Sequence, residues 1–319
     1  MANKYSMVKC YFEHGLWSQN QVKDSVTKGL ITSKEYQDIT GEEFDDSYLR
    51  ENENKSKKLV AYKQFVVNTF TDKTFMGNSA AVCILNSAIS DSLMQKVAAQ
   101  NNLPETAFVL KRGSVYALRW FTSAGEIDVS GHATLAAAFV IFNYYEKTKN
   151  SLEFETILGQ MLVEKNDDVF EIEMPHSELK QVKGCKELTE ALGAEPKEVY
   201  YGKDVMCVFE TEDDIVNLTP DFKKLSSIKG SAVHATAKSE RCDFVSRSFA
   251  PKLGMDEELV CGSGYCYIAP YWKNVLDKTV MAGCHVSKRG GTVYCKFITK
   301  DVLRLCGKTV LYSSGEIYL

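Results

Sequence analysis

Two stretches decide how this chain folds. Asp128-Val129-Ser130-Gly131-His132-Ala133-Thr134 runs into Leu135 to Phe142, and Glu258-Leu259-Val260-Cys261-Gly262-Ser263-Gly264 runs into Tyr265 to Trp272. Each sets a small residue and a glycine in a tight turn, then opens an apolar helix that has to be buried. Each also follows a Phe-containing stretch, Trp120-Phe121-Thr122 and Ser248-Phe249-Ala250. A helix start offers unpaired N–H groups and the positive end of a dipole, so it holds anions well. Two such starts predict a cleft in which both converge on one small carboxylate-bearing molecule.

Working outward, strands and helices alternate. Tyr62 to Phe70, Ala80 to Leu85, Thr106 to Leu110 and Val115 to Thr122 read as strands, rich in Val, Phe and Ile. Asp91 is placed to cap a helix through Leu93, Met94, Val97 and Ala98. Leu135 to Tyr145 is a buried helix, and Leu152 to Thr156, Met161 to Lys165 and Val169 to Met174 form a meander that Pro175 closes. The scheme then repeats. Glu187 to Leu192 is helical, Val199 to Tyr201 and Val205 to Phe209 are strand-like, and Pro220 interrupts a helical run from Asp213 to Leu225. Val233 to Ala237 and Asp243 to Phe249 are strands, and Gly264 to Val275 is the second buried helix. Val280 to Val286, Thr292 to Ile298, Val302 to Leu305 and Thr309 to Tyr312 finish as short strands. The expected class is α+β: two similar halves, each a set of strands wrapped around one apolar helix, with the first spanning 59–175 and the second 176–306.

The 319 residues are 45% hydrophobic and 25% charged, as in a folded protein of two domains with an appendage. A formal charge of −4 argues against a nucleic-acid surface. No apolar run approaches the roughly 20 residues of a membrane span, and Met1-Ala2-Asn3-Lys4-Tyr5 lacks the apolar core of a secretion signal. A cytoplasmic protein with reduced thiols is the expectation, and most of its ten cysteines should be small core residues. Cys284-His285 has no second pair at zinc spacing, so no metal is implied.

Residues 1–50 differ from the rest. Tyr5 to His14 reads as a short helix ending at Gly15. Ser18-Gln19-Asn20-Gln21 and Thr32-Ser33-Lys34-Glu35 are capping boxes for two more. Residues 51–58, Glu51-Asn52-Glu53-Asn54-Lys55-Ser56-Lys57-Lys58, carry no apolar residue and read as a solvated linker.

The residues suited to chemistry cluster around the two turns. Glu105, in Leu103-Pro104-Glu105-Thr106-Ala107-Phe108, stands between a helix and a strand where shelter from water raises a carboxylate's proton affinity. Taken alone it reads equally as a turn cap or a lysine partner. His132 lies where the helix dipole favours the neutral imidazole, able to donate to a substrate carbonyl or carboxylate, although it also suits simple capping. Ser263 occupies the matching place in the second turn, with N-capping as its ordinary use. Cys261, at a helix N-terminus, is either an activated thiol or a small residue that fits the turn. Ser130 in the first turn cannot supply a second thiol. Glu258 is placed to hold His132 or a substrate amine, or to face solvent. Gly77-Asn78-Ser79-Ala80 offers backbone N–H groups and the Asn78 amide to a ligand, while Lys288-Arg289-Gly290-Gly291 reads as a turn with solvated charges.

These motifs come in an order that resembles one family. Asn68-Thr69-Phe70-Thr71, Gly77-Asn78-Ser79-Ala80-Ala81-Val82, Leu103 to Phe108, Arg119-Trp120-Phe121-Thr122 and Ser130 to Leu135 come first. Ser246-Arg247-Ser248-Phe249-Ala250-Pro251, Gly262-Ser263, Ala269-Pro270-Tyr271-Trp272 and Lys288 to Gly291 follow. Over residues 60–319 the chain resembles the phenazine-biosynthesis (PhzF-like) isomerases, which share the fold of diaminopimelate epimerase. The resemblance implies two lobes, each a curled sheet around a central helix, with the site between them and the last strand, 307–319, returning to the first lobe. It implies Glu105 as the proton-transferring carboxylate, with His132, Glu258 and Ser263 as polar partners. Gly77, Asn78, Ser130, Gly131, Cys261, Gly262 and Gly264 would bind substrate. Neither cofactor nor metal is implied, and homodimerisation is expected from the resemblance alone. The chain departs from the family at Glu258, more often Asp, at Ala133 and Ser79, usually Pro, and at Cys261, commonly Thr. The turn Cys261-Gly262-Ser263-Gly264 looks more like the cysteine turn of diaminopimelate epimerase. Through Met7-Val8-Lys9, Gly15-Leu16-Trp17-Ser18 and Gly29-Leu30-Ile31-Thr32, residues 7–42 look like the short XkdX-type proteins of phage and prophage clusters, whose partner is unknown.

The expected function is therefore a cofactor-independent isomerase that moves a proton within a small carboxylated substrate. Two readings compete with it: a two-base amino-acid epimerase or racemase using Cys261, and a non-catalytic, phage-associated binding protein.

Overall fold

The computed structural model describes residues 4–15, 17–48, 59–176, 179–299 and 302–319. The stretch expected as a linker, 51–58, lies outside the described residues. Two compact units emerge, Met1–Ala61 with Tyr318–Leu319, and Tyr62–Ile317.

The first unit holds helices α1 (Lys4–Glu13), α2 (Gln19–Thr27) and α3 (Ser33–Thr40). Both expected capping boxes form. The Ser18 N–H donates to Gln21 Oε1 at 2.7 Å, and the Thr32 N–H to Glu35 Oε2 at 2.6 Å. Val8, Val22, Ile31, Tyr36, Ile39 and Phe44 make its core.

In the larger unit the order is β1 (Ala61–Thr69), β2 (Asn78–Leu85), α4 (Asp91–Asn101), β3 (Glu105–Arg112), β4 (Val115–Phe121), β5 (Glu126–Ile127), α5 (Gly131–Val140), β6 (Ser151–Thr156), β7 (Gly159–Asn166) and β8 (Val169–Pro175). Then come β9 (Lys180–Val182), α6 (Lys186–Leu192), β10 (Glu198–Tyr201), β11 (Val205–Val208), α7 (Glu212–Val216), α8 (Phe222–Leu225), β12 (Val233–Lys238) and β13 (Phe244–Phe249). Last are α9 (Tyr265–Leu276), β14 (Val280–His285), β15 (Gly291–Phe297) and β16 (Val302–Tyr318).

One hydrogen-bonded path runs β1-β2-β3-β4-β6-β7-β8-β16-β15-β14-β13-β12-β11-β10-β9, and β16 also pairs with β1. That extra pairing closes β1 to β8 and β16 into a barrel around α5. Ala133, Leu135, Ala136, Ala137, Ala138 and Val140 of α5 are fully buried, and the run of small side chains lets the wall approach closely. The remaining strands curl over α9, whose Trp272 stacks on Phe244 (5.8 Å, 3°) and donates from Nε1 to Thr236 Oγ1 at 2.9 Å. The outer face of this second sheet carries its own apolar cluster with α6, including Leu188, Leu192, Val233, Ala235 and Phe249.

Three local expectations change. Ser90, not Asp91, caps α4 through the Leu93 N–H. The first buried helix starts four residues early, at Gly131, and its last turn, Ile141–Tyr145, is wound as a π-helix. The two short strands expected at Val302 to Leu305 and Thr309 to Tyr312 are one strand, β16. It pairs with β15 on one side and β8 on the other, and passes Phe70 at Gly307, where a Cβ would lie 2.5 Å from the ring.

Candidate active site

The parallel pairing of β2 with β3 sets Ala80 beside Glu105, so Asn78 and Glu105 begin neighbouring strands at one end of the barrel. The N-terminus of α5 meets them there. Ser130 caps it by accepting the Ala133 N–H at 3.2 Å, and this fixes the turn that carries His132. Both Glu105 (8% exposed) and His132 (6% exposed) are buried, with Glu105 Oε2 2.5 Å from His132 Nε2. The other ring nitrogen, Nδ1, lies 3.4 Å from both Asn78 Nδ2 and Ser130 Oγ. A Cβ built on Gly131 would find only the end of Met174, at 3.9 Å.

The second turn is brought to the same place by Asn78, whose Nδ2 donates to the Val260 carbonyl at 2.9 Å. Its backbone is held from behind. The Glu258 N–H donates to the Ser248 carbonyl at 2.9 Å, and His285 Nε2 sits 3.2 Å from the Glu258 carbonyl. Burial drives His285 down to about 3, so its neutral ring donates from Nε2 to that carbonyl and accepts from Ser246 Oγ at 3.2 Å. Gly264 is required by crowding, since a Cβ would lie 2.8 Å from His234 Nδ1. Gly262 packs against the Phe70 ring at 3.5 Å by the same measure.

Electrostatics sets Glu258 apart from an ordinary acid. Burial, then the charge of Glu105, raises Glu258 to about 7, with His132 pulling the other way. Burial opposes charge on His132, but Glu105 by charge and hydrogen bonding, with Glu258 behind it, holds the ring above its ordinary value. The neutral imidazole expected from the helix dipole is therefore corrected. A carboxylate at 2.5 Å outweighs a half-charge spread over a helix start. The activated thiol fares no better: burial, reinforced by Glu258, pushes Cys261 up to about 12.

Other expected donors are committed elsewhere. The Gly77 N–H goes to the Gly290 carbonyl at 2.8 Å, and Gly77 is fixed by a left-handed φ of +71°. Ser263 does not cap α9, because Gly264 occupies that position. The Ser263 hydroxyl instead lies 3.5 Å from Cys261 Sγ. Arg289 is not a solvated turn charge, for it donates to Asn68 Oδ1 at 3.2 Å and the Met76 carbonyl at 2.9 Å. Asn78 Oδ1 is buried without a hydrogen-bond partner among the described residues. Sequence reading missed the scaffold behind the second turn: His234, bonded to Ser248 Oγ at 2.9 Å and facing Asp204 at 3.4 Å, and the His285–Ser246 pair. Histidines and serines scattered over different strands carry no spacing signal. A cavity of about 580 Å³ beside Phe70, Gly290, Gly291 and His285 holds none of the candidate residues. Its lining includes Asp72, Lys73, Arg241 and Lys308, none of them among the residues gathered at the two helix starts.

The chain is an isomerase with an epimerase-like fold, as its relatives show. The model of the phenazine biosynthesis-like protein family (PhzC-PhzF) matches residues 67–315, and the chain belongs to that family. An uncharacterized isomerase of Pseudomonas aeruginosa is 37% identical over 254 residues, covering 79% of this chain and 97% of that protein. The crystal structure of a PhzF-family phenazine biosynthesis protein from Enterococcus faecalis superposes with a TM-score of 0.80 at 39% identity, over 82% of this chain and 100% of that one. A predicted epimerase of Pseudomonas aeruginosa reaches a TM-score of 0.64 at 17% identity, over 80% and 99%, a likeness of fold alone. Residues 5–44 match the Phage_XkdX family of uncharacterised phage proteins. No described helix is long and apolar enough to cross a membrane.

Proposed function

We propose that this isomerase moves a proton within a small carboxylate-bearing substrate without a cofactor, with Glu105 as the base. The observation that carries the reading is the buried contact between Glu105 and His132, 2.5 Å, at the N-terminus of α5. Glu105 takes a proton from a carbon next to an unsaturated or carboxylated centre. His132, whose hold on a proton Glu105 strengthens, faces the electron density left on the substrate. Glu105 then returns that proton at a second carbon of the same molecule, and Glu258, raised to about 7, stands beside the pair as a polar partner. The N–H groups at Gly131 and His132 and the unpartnered Asn78 Oδ1 orient the substrate carboxylate and a neighbouring donor. Gly262, Ser263 and Gly264 form the facing wall.

A two-base epimerase using Cys261 is the weaker reading, because a thiol raised to about 12 supplies almost no thiolate at neutral pH. The experiment is Glu105→Gln assayed by exchange of substrate C–H in deuterated water. Loss of both turnover and label uptake is expected. Retention of label uptake removes Glu105 as the base.

A further inference from the structure

We infer that a second pocket, built from Glu198 and the rings of Tyr200, Tyr267 and Tyr271, binds a small organic ammonium ion. A cavity of about 510 Å³ separates one face of α9 from the β10–β11 strands, well within the roughly 300–1,000 Å³ of ligand pockets. None of its lining residues belongs to the candidate active site. On the helix side, Tyr267, Tyr271 and Val275 recur every fourth residue and so share one face. On the sheet side, Glu198 and Tyr200 alternate onto the same face of β10, and Met206 is the cross-strand partner of Tyr200.

The carboxylate is the centre of the arrangement. Tyr200 Oη donates to Glu198 Oε2 at 2.5 Å, and Tyr271 Oη donates to Oε1 at 3.2 Å. Burial and the adjacent Glu198 push Tyr271 up to about 12 and raise Tyr200 as well. Both phenols keep their protons and act as donors to the Glu198 carboxyl group. Among the described residues no Lys, Arg or His forms an ion pair with that half-buried carboxylate. Its sequence neighbour Lys197 is held by Glu210 at 2.6 Å. The walls are aromatic. The Tyr200 and Tyr271 rings meet at 65° with centroids 5.5 Å apart, and Tyr267 is fixed by stacking on His234 at 5.6 Å. Gln181 Nε2 also donates to Glu198 Oε2 at 3.4 Å, so the carboxylate is hydrogen-bonded but has no ion-pair partner among the described residues, and with tyrosine rings beside it a cation is attracted by charge and by the ring quadrupoles. An anion is repelled, and a neutral guest would strip water from Glu198 without replacing it.

The test is titration of the full chain with choline chloride and, in parallel, with 3,3-dimethyl-1-butanol, its neutral carbon isostere, followed by tyrosine ring NMR shifts at constant ionic strength. Choline should bind saturably and the isostere at least about tenfold more weakly, with Tyr271→Leu costing about fivefold or more. Glu198→Gln, which keeps the shape and a phenol acceptor, should weaken choline by about tenfold or more while the melting temperature stays near that of the native chain. The inference is overturned if choline fails to saturate below about 50 mM, if the isostere binds equally, or if Glu198→Gln binds choline like the native chain. Should Tyr271→Leu not fold, the isostere and Glu198→Gln decide alone.

Discussion

Removing the charge of Glu258 should make the protein more stable, and by an amount that depends on pH. Its carboxyl rises from an ordinary 4.5 to about 7, first through burial and then through Glu105, against the pull of His132. The native state therefore holds this proton more tightly than the unfolded chain does. Below pH 4.5 both states are protonated and the group contributes nothing. Between 4.5 and about 7 the native state must be ionised against its environment, so stability falls as pH rises, and above 7 the loss is constant. The ceiling of that loss is about 3 kcal/mol at pH 8 and about 1 kcal/mol at pH 5. The residue is not fully sealed from solvent, so about 2 kcal/mol at pH 8 is expected. Glu258→Gln keeps the shape and removes the ionisation. Urea denaturation of both proteins at pH 5 and pH 8 should show the variant ahead by about 2 kcal/mol at the higher pH and by under about 1 at the lower. A gap below about 0.5 kcal/mol at pH 8, or one equally large at pH 5, refutes the electrostatic reasoning. The same substitution should slow turnover, the usual relation between a strained site and activity.

Gly77→Ala should cost roughly 2–4 kcal/mol in urea denaturation, because its Cβ would meet the Thr69 carbonyl at 2.1 Å with φ at +71°; a cost under about 0.5 would show that the turn relaxes freely. Asn78→Ala should cost about 1–3 kcal/mol by leaving the Val260 carbonyl unpaired, read by the same assay, and an unchanged midpoint would deny that this amide fastens the second turn. Cys261→Ser should keep kcat/KM within about tenfold while Glu105→Gln loses at least about a hundredfold; the reverse order would restore the thiol mechanism. Deleting residues 1–58 should move the melting temperature of the remaining unit by less than about 4 °C in calorimetry, since the Pseudomonas aeruginosa isomerase is matched over 97% of its length by only 79% of this chain. A larger drop would tie the XkdX-like segment to the fold of the rest.

What could be read in advance follows from how local each signal is. The alanine-rich run after Ser130 announces a helix enclosed on all sides, and both buried helices lie where that argument puts them. The capping boxes at Ser18 and Thr32 involve residues three apart and form as read. Closure of the barrel was not legible, because β16 looks like two strands split at Gly307. The missing side chain there serves a Phe70 ring more than two hundred residues earlier, not a turn. The site divides in the same way. Two short motifs nominate the residues that the fold gathers there, but not their proton affinities, since the dipole that lowers His132 is local and the carboxylate that raises it arrives on another strand. Asn78 makes the same point in geometry. A glycine–asparagine pair suggests a ligand turn, yet one hydrogen bond of that amide reaches Val260, 182 residues away, and aligns the second helix start with the first. The two similar turns thus end in different roles. One strengthens an imidazole's hold on its proton beside a buried carboxylate. The other raises an acid toward neutrality and leaves its thiol inert. Environments that push titratable groups away from their ordinary values mark candidate acids and bases, and here both shifts arise only when the turns face each other.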